Sequence, residues 1–278
     1  MSKIGRKPTI VISLLLAISL IVSIIMFYCN NMAGEMSYLK TNPDIYAKIS
    51  YFSFWWFLIT FDIFAFIFYL SPIFIPIMTC YAFYEIYHSG YLTNIVQRDK
   101  YDNVLKKQIF KCWIKNLIIP LILIIFFIIC MFIFPNGNVK PISFGETFVV
   151  ANEYMGIINP YLFVVLHMLL LFLYGIFITN ISLILNKYIK KFSLLVIAVF
   201  IIVMIIENFG NLILGPLVRN ITGITRIANG FSVLNLLYLD GIPSLWWEFL
   251  WIIILNILTI IFIIKIYSNK EKVLNNYD

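Results

Sequence analysis

Three ionisable side chains lie within long apolar stretches of the chain and are its first candidates for chemistry: Asp62, Glu207 and His167. An ionised carboxylate in hydrocarbon is unfavourable by roughly 3 kcal/mol, so an acid there has to face protein, water or a partner group. Asp62 fits either a polar seam along a substrate path or a structural hydrogen bond to a neighbour such as Asn180 or Asn256. Glu207 either belongs to such a seam or reaches water at the end of its stretch. His167 is more typical of a hydrogen-bonding residue inside a helix bundle than of a ligand.

Catalysis would require a nucleophile and a base, or a set of metal ligands, that meet in space. The chain has two histidines, His88 and His167, and no H-E-x-x-H pattern. Four cysteines without metal-ligand spacing are predicted to be unpaired, although the first and the last could meet: Cys29, Cys80, Cys112 and Cys130. We therefore expect no catalytic and no metal-binding residue, and we keep an intramembrane enzyme as an alternative class.

The elements that position these residues are predicted to be apolar helices. Hydrophobic residues make up 62% of the 278 residues and charged residues only 12%. Soluble domains carry roughly 25% charged residues, so this composition indicates an all-α integral membrane protein that forms a single transmembrane domain. A helix needs roughly 20 apolar residues to cross a bilayer. This length predicts six spans, at about 9–28, 54–81, 115–134, 161–185, 192–214 and 245–267.

The basic residues orient these spans. With both termini in the cytoplasm, 15 of the 20 Lys and Arg residues lie on the inner side, as the positive-inside rule requires. The first span begins like a signal peptide but has no small-residue cleavage pattern, so it is expected to stay in place. Abundant Ile and Asn suggest a low-GC bacterium. The expected location is therefore a bacterial cell membrane, with the lipid bilayer as its surroundings.

The segments between the spans are too short for separate domains, since the longest, about 82–114, 135–160 and 215–244, stay below roughly 40 residues. No G-x-x-x-x-G-K-[ST] loop is present. We expect no cofactor on this chain, so any use of ATP needs an ATPase on another chain. Nucleic acid is not an expected partner either. The outer segment between spans five and six is predicted to form short helices at the membrane surface.

The inner segment 85–113 carries the most information. Gly90 and the cluster 98–100 divide it into two predicted helices. In the second helix the apolar residues form a stripe, and the basic residues lie largely on other sides of the helix. Such a basic amphipathic helix suits the inner membrane surface. The stripe consists of Tyr101, Val104, Leu105, Ile109 and Cys112, and the basic residues are Lys100, Lys107 and Lys111.

This layout resembles the permease subunit of type-2 ATP-binding-cassette (ABC) transporters. The resemblance covers the six-span architecture and one stretch of residues: Ile73-Phe74-Ile75-Pro76, then Glu85, Gly90, Arg98 and Lys106 or Lys107. In that family an acid, a glycine and an arginine mark the inner coupling helix that docks on the ATPase. The resemblance thus implies docking by Glu85, Gly90 and Arg98. On the residues alone, a solvated loop that only anchors the spans is the competing interpretation.

The family also implies a complex of two permeases and two ATPases, with ATP and Mg²⁺ on the ATPase. It implies export of an amphipathic or hydrophobic substrate, such as a lantibiotic, another antimicrobial peptide or a drug. A passive immunity or binding protein for a membrane-active peptide remains an alternative function, because it would need no docking helix.

Overall fold

The computed structural model describes residues 6–26, 51–52, 54–55, 59, 69–97, 100–133, 160–222, 231 and 245–268. All regular structure in these ranges is helical, and no strand occurs in them. The helices are α1 (Arg6–Met26), α2 (Ser71–Thr79), α3 (Tyr81–His88), α4 (Tyr91–Val96), α5 (Tyr101–Lys115), α6 (Ile118–Ile133), α7 (Pro160–Asn186), α8 (Phe192–Phe209), α9 (Gly215–Thr222) and α10 (Leu245–Tyr267).

Five helical runs are long and apolar enough to cross a membrane. They are Lys7–Ile25, Tyr101–Ile133, Tyr161–Asn186, Phe192–Thr222 and Glu248–Tyr267. They correspond to the first and to the third through sixth predicted spans. The predicted second span, 54–81, lies partly outside the described residues, and its inner part is α2. Within the described residues the predicted all-helical class is therefore confirmed, and five helical runs there could span a membrane.

Large apolar side chains cover the outer surface of these runs. On α1 they recur at helical spacing and are all exposed: Ile10, Leu14, Ile18, Ile21 and Ile25. A second exposed row follows α6, with Leu121, Ile125, Ile128 and Phe132. Contiguous apolar surfaces of this extent are not tolerated in water, and these surfaces suit contact with lipid tails.

Helix α7 is the centre of the bundle. It contacts α2, α5, α6, α8 and α10. Its inward side carries polar residues as well as apolar ones, all fully or almost fully buried: His167, Thr179, Asn180, Ser182 and Asn186. Apolar packing gains little over lipid contact inside a membrane, so hydrogen bonds and close packing around α7 hold the bundle together.

The ends of several helices lie close together at one end of the bundle, and lysine side chains make two of the contacts there. Thr9 at the start of α1 hydrogen bonds the Met78 carbonyl near the end of α2, and so does Lys115 at the α5–α6 junction. Lys187, which follows α7, hydrogen bonds the Ile266 carbonyl near the end of α10. These contacts place the helix ends at one level, as the predicted alternation of spans requires, and we refer to this level as the inner end.

Two helical runs extend beyond their predicted spans. The run of α5 and α6 is 33 residues long, about 50 Å at 1.5 Å per residue, whereas the hydrocarbon layer is about 30 Å thick. It passes through a tightened turn at Asn116 and Leu117. Pro120 has no N–H to donate to the Asn116 carbonyl, which accounts for that irregular turn. The run is therefore longer than a straight crossing of the hydrocarbon layer requires.

The fifth span also continues past its predicted end at residue 214. A π-helical turn, Gly210–Leu214, connects α8 directly to α9. The predicted loop starts at Gly215, but the helix continues through this turn, and Pro216, which has no N–H to donate to the preceding turn, lies at the start of α9. A Cβ atom at Gly210 would overlap the carbonyl oxygen of Phe231, so Phe231 lies directly against this turn.

Candidate docking site at the inner end

A short helical unit, α3–Gly90–α4, follows α2 at the inner end and exposes Ser89, Tyr91 and Asn94 there, and we call it the protruding unit. Gly90 has a φ angle of 73°, a left-handed conformation that side chains with a Cβ disfavour. It follows Ser89, the C-terminal cap residue of α3, and so ends that helix in the way glycine commonly does. The chain reverses at this point and begins α4 with Tyr91. The position of the turn is thus set by a residue that the sequence had singled out.

The protruding unit rests on a hydrophobic cluster at the inner end. Leu92 of α4 and Phe83 and Tyr87 of α3 are buried against the apolar side of α5 and the end of α10. The five buried residues of α5 are the five of the predicted stripe: Tyr101, Val104, Leu105, Ile109 and Cys112. This stripe is covered by protein, whereas the amphipathic pattern of the helix predicts a position on the inner membrane surface. The reason is that α10 ends beside it, with the Tyr101 hydroxyl 2.9 Å from the Tyr267 carbonyl oxygen.

Tyr84 of α3 caps the first turn of α8. The first N–H groups of a helix have no acceptor within it, and Lys191 precedes α8 without a side-chain cap. The Tyr84 hydroxyl accepts the N–H of Phe192 and donates to the carbonyl oxygen of Lys190. Burial, together with the adjacent Glu85 carboxylate, raises the pKa of the Tyr84 phenol, so the group stays protonated and keeps its donor.

Two further contacts hold α3 against the connection between α7 and α8. Nε2 of His88 lies 2.9 Å from the carbonyl oxygen of Asn186, the last residue of α7. The ring of Phe192 packs against Tyr81 and Tyr84, with centroids 5.0 and 5.1 Å apart. A displacement of α3 would therefore act directly on the inner ends of α7 and α8.

The junction between α2 and α3 is held by donors from two other helices. The last carbonyls of a helix lack an N–H partner within it. At the end of α2, the Met78 carbonyl accepts Thr9 Oγ1 at 3.0 Å and Lys115 Nζ at 3.2 Å, and the Thr79 carbonyl accepts Lys115 Nζ at 3.5 Å. The ammonium group also suits the negative end of the helix dipole. The base of the protruding unit is thus fixed to α1 and to the α5–α6 junction.

The surface that the unit presents beyond the bundle is polar and aromatic. The Tyr91 side chain is 56% exposed, and Asn94 and Gln97 are exposed beside it. Lys100, just before α5, is exposed as well. An exposed tyrosine among uncharged polar groups, on an element braced against four helices (α5, α7, α8 and α10), has the composition of a protein contact surface.

The other predicted docking and surface residues are placed as follows. Glu85 is half-buried, and its carboxylate is hydrogen bonded by Tyr81, one turn earlier on α3. Lys107 is exposed on α5 and Lys111 is half-buried. Arg98 lies outside the described residues. The structure therefore brings Glu85, Gly90 and Lys100 to one region without describing the arginine between them.

A buried polar network joins α2, α7 and the α5–α6 junction. Asn116 Nδ2 donates to Thr179 Oγ1 at 3.0 Å, and the Thr179 hydroxyl lies 3.1 Å from that of Thr79. Gly175, one turn before Thr179, makes room for this contact, since a Cβ atom there would lie 2.7 Å from Asn116 Oδ1. Small residues four positions apart let membrane helices approach closely.

A second branch of the network reaches α10. Trp113 Nε1 donates to Asn180 Oδ1 at 2.8 Å, and Asn180 Nδ2 donates to Thr259 at 3.1 Å and to Asn256 at 3.4 Å. The two asparagines proposed as partners of Asp62 thus bond each other. Asp62 itself lies outside the described residues.

Glu207 and His167 occupy different surroundings in the outer half of the bundle. Glu207 is only 9% exposed, and Asn211 Nδ2 donates to its Oε1 at 2.6 Å. The carboxylate is therefore held within the bundle rather than extended into outer water. His167 is fully buried, with its ring 6.1 Å from that of Phe163 and 6.2 Å from that of Trp55.

No family model, curated protein or solved structure matches this chain. Among the described residues, no three metal-ligating side chains come together. The arrangement at the inner end is consequently the strongest structural indication of function.

Proposed function

We propose that this protein is the membrane-spanning permease subunit of an ATP-driven exporter, of the type-2 ABC kind that its sequence resembles. ATP and Mg²⁺ would bind to a separate ATPase chain, in a complex of two permeases, identical or paralogous, and two ATPases in a bacterial cell membrane. The proposed substrate is amphipathic or hydrophobic, such as a lantibiotic, another antimicrobial peptide or a drug. Export would proceed by alternating arrangements of the two permeases, with the substrate leaving laterally between them.

The observation that carries this proposal is the α3–Gly90–α4 unit. It protrudes at the inner end, where an ATPase would bind, and exposes Tyr91 and Asn94 on its far side. A transporter chain without its own nucleotide-binding loop needs a surface on which a separate ATPase can bind and exert force. A passive binding protein would have no use for a braced, protruding turn with a left-handed glycine.

The contacts of α3 suggest how force would travel into the membrane. Movement of α4 would be passed by Gly90 to α3, since Leu92 and Tyr87 pack into the same cluster. From α3 it would reach α2 through the Cys80 turn, and α8 through the Tyr84 hydroxyl. Because α2 also packs against α8, both routes would act on one pair of helices. Such a pair of helices, pushed from one side, would be the element that switches between two arrangements.

The test is affinity purification of the full-length protein from its native cell in mild detergent, with mass spectrometry of the proteins that accompany it. We expect a stoichiometric ATP-binding protein. A charge introduced on the docking surface as Tyr91→Glu, or reversal of the predicted docking charge as Arg98→Glu, should remove that protein. The matched control is Arg219→Glu, a charge reversal at an exposed position on α9 near the outer end, which should retain it.

Either of two results would contradict the proposal. The protein could come alone under conditions that preserve other membrane complexes of the same cell, which would favour a passive binding protein or an intramembrane enzyme. Alternatively, the ATP-binding protein could remain on both docking variants, which would leave the transporter in place but remove α3–Gly90–α4 as its docking site.

A further inference from the structure

The short connection between α7 and α8 carries a cluster of positive charge at the inner end. It consists of residues 187–191, Lys-Tyr-Ile-Lys-Lys, and contains no acid. Lys190 and Lys191 are exposed, whereas Lys187 is half-buried and donates to the Ile266 carbonyl. Glu85 adjoins Tyr84, which bonds the Lys190 carbonyl, but three lysines against this one carboxylate leave a net positive charge.

The backbone of this connection is already fixed by the rest of the bundle. The Lys190 carbonyl accepts the Tyr84 hydroxyl, and the Ile189 N–H donates to the Leu185 carbonyl at 3.0 Å. The Ile189 side chain packs against the hydrophobic core. Because the main chain is ordered in advance, binding of an anion by Lys190 and Lys191 has to order only their side chains, which lowers its entropic cost.

An exposed apolar row begins three residues after Lys191 and follows the outside of α8. Its members lie three or four residues apart, on one side of the helix, and are 51–61% exposed: Leu194, Ile197, Ile201 and Ile205. From the first to the last the row covers about 16 Å at 1.5 Å per residue, whereas the whole hydrocarbon layer is about 30 Å thick. The row therefore has the depth of one leaflet, with the lysines at its inner end.

We propose that the lysine cluster and the α8 row together bind an anionic phospholipid of the inner leaflet. The phosphate group lies between Lys190 and Lys191, and one acyl chain lies along the row. The ring of Tyr188, which is 65% exposed, suits the level of the headgroups. Lysines attract anionic headgroups electrostatically, so the site selects phosphatidylglycerol over the zwitterionic phosphatidylcholine.

Charge also argues against a second copy of this chain as the occupant of the row. A copy packed here about a two-fold axis would present the same surface, because such an interface is self-complementary. Its lysine cluster would then lie beside the first one, and like charges across an interface disfavour the contact. An anionic lipid neutralises the cluster instead. This inference does not depend on the permease proposal.

The test measures lipid binding to the delipidated full-length protein in detergent by native mass spectrometry. We expect one phosphatidylglycerol per chain at concentrations at which phosphatidylcholine does not bind. The pair Lys190→Gln and Lys191→Gln should weaken this binding roughly thirtyfold, since each lysine contributes about 1 kcal/mol, whereas Lys190→Arg and Lys191→Arg should retain it. The matched control, Lys100→Gln and Lys106→Gln, removes two exposed charges that lie six residues apart and do not converge, and it should bind like the wild-type protein.

Photolabelling locates the acyl chain. In membrane vesicles, phosphatidylglycerol with a diazirine on one acyl chain should label the tryptic peptide 192–219, which contains the α8 row, more strongly than phosphatidylcholine with the same group. The comparison of the two lipids uses the wild-type protein, so it stays valid should a variant fail to fold.

Several results would overturn the proposal. The two lipids could bind or label equally, the glutamine pair could bind as tightly as the wild-type protein, or the control pair could lose the lipid as well. Displacement of the lipid by an equal concentration of glycerol phosphate, its soluble headgroup, would show that the apolar row contributes nothing.

Discussion

The hydroxyl of Tyr84 bridges the carbonyl oxygen of Lys190 and the N–H of Phe192, and thereby joins α3 to the first turn of α8. A side chain from the protruding unit thus serves as the cap of a membrane-spanning helix. The same residue pairs its ring with Phe192. This single position connects the surface proposed to receive force with a helix that crosses the bilayer.

Removing this hydroxyl should weaken the connection without disturbing the ring packing. We expect Tyr84→Phe to lower the free energy of unfolding by about 1 kcal/mol, since one buried hydrogen-bonding group is lost. In the proposed complex the ATPase should still bind, but substrate should stimulate ATP hydrolysis less. Tyr188→Phe is the matched control, because Tyr188 lies in the same connection and is 65% exposed. Equal behaviour of the two variants in thermal unfolding and ATPase assays would contradict the role of Tyr84.

The left-handed turn at Gly90 predicts a graded series. Side chains with a Cβ are disfavoured at a φ of 73° by roughly 1–2 kcal/mol, and asparagine is the best tolerated of them. Recovery of the ATPase with the purified protein should therefore fall in the order Gly90, Gly90→Asn, Gly90→Ala, Gly90→Val. The helical signal of the spans in circular dichroism should stay constant across the series. If Gly90→Val recovers as much ATPase as the wild-type protein, the turn is not required for docking.

The close contact between Gly175 and Asn116 predicts a coupled pair. Gly175→Ala should destabilise the protein by about 1–3 kcal/mol, because the added Cβ meets Asn116 Oδ1 and Cγ. Asn116→Ala removes those atoms and loses its bond to Thr179, at roughly 0.6 kcal/mol on average for membrane helices. The double variant should be more stable than the sum of the two effects predicts. Strict additivity in thermal unfolding would show that the contact is not strained by the added methyl group.

The ammonium group of Lys115, rather than the length of its side chain, should stabilise the α2–α3 junction. Lys115→Met keeps an apolar chain of similar size but leaves the Met78 and Thr79 carbonyls without this donor. The expected loss of stability is roughly 1–2 kcal/mol. Lys265→Met, at an exposed position at the end of α10, is the matched control and should change stability little. A loss no larger than that of the control would remove Lys115 from the account of the α2–α3 junction.

Hydropathy and periodicity predicted the parts of the fold that depend on local pattern. The sixth predicted span, 245–267, has the bounds of α10, and the apolar stripe on α5 contains the five residues that are buried there. Both rest on the spacing of side chains along one helix. Gly90 was likewise predicted to separate two helices, and α3 ends there in the left-handed conformation that glycine accepts.

Contacts between distant positions could not be predicted in this way. Nothing in the spacing of Gly175 and Asn116 shows that they meet, since this contact depends on how separate helices cross. The burial of Glu207 has the same origin, because Asn211 holds its carboxylate within the bundle. The pair Gly215-Pro216 indicated the start of a loop, whereas the chain continues from α8 through a π-helical turn into α9.

The central claim is that an ATP-hydrolysing protein binds the α3–Gly90–α4 unit. The most direct measurement places a photoreactive amino acid at Tyr91 in the full-length protein, illuminates native membranes and identifies the adduct by mass spectrometry. Leu217, half exposed on α9 near the outer end, is the control position. We predict an adduct with an ATP-binding protein from position 91 and none from position 217. Absence of an ATP-binding protein from the adducts of position 91, or its presence at both positions, would contradict the account.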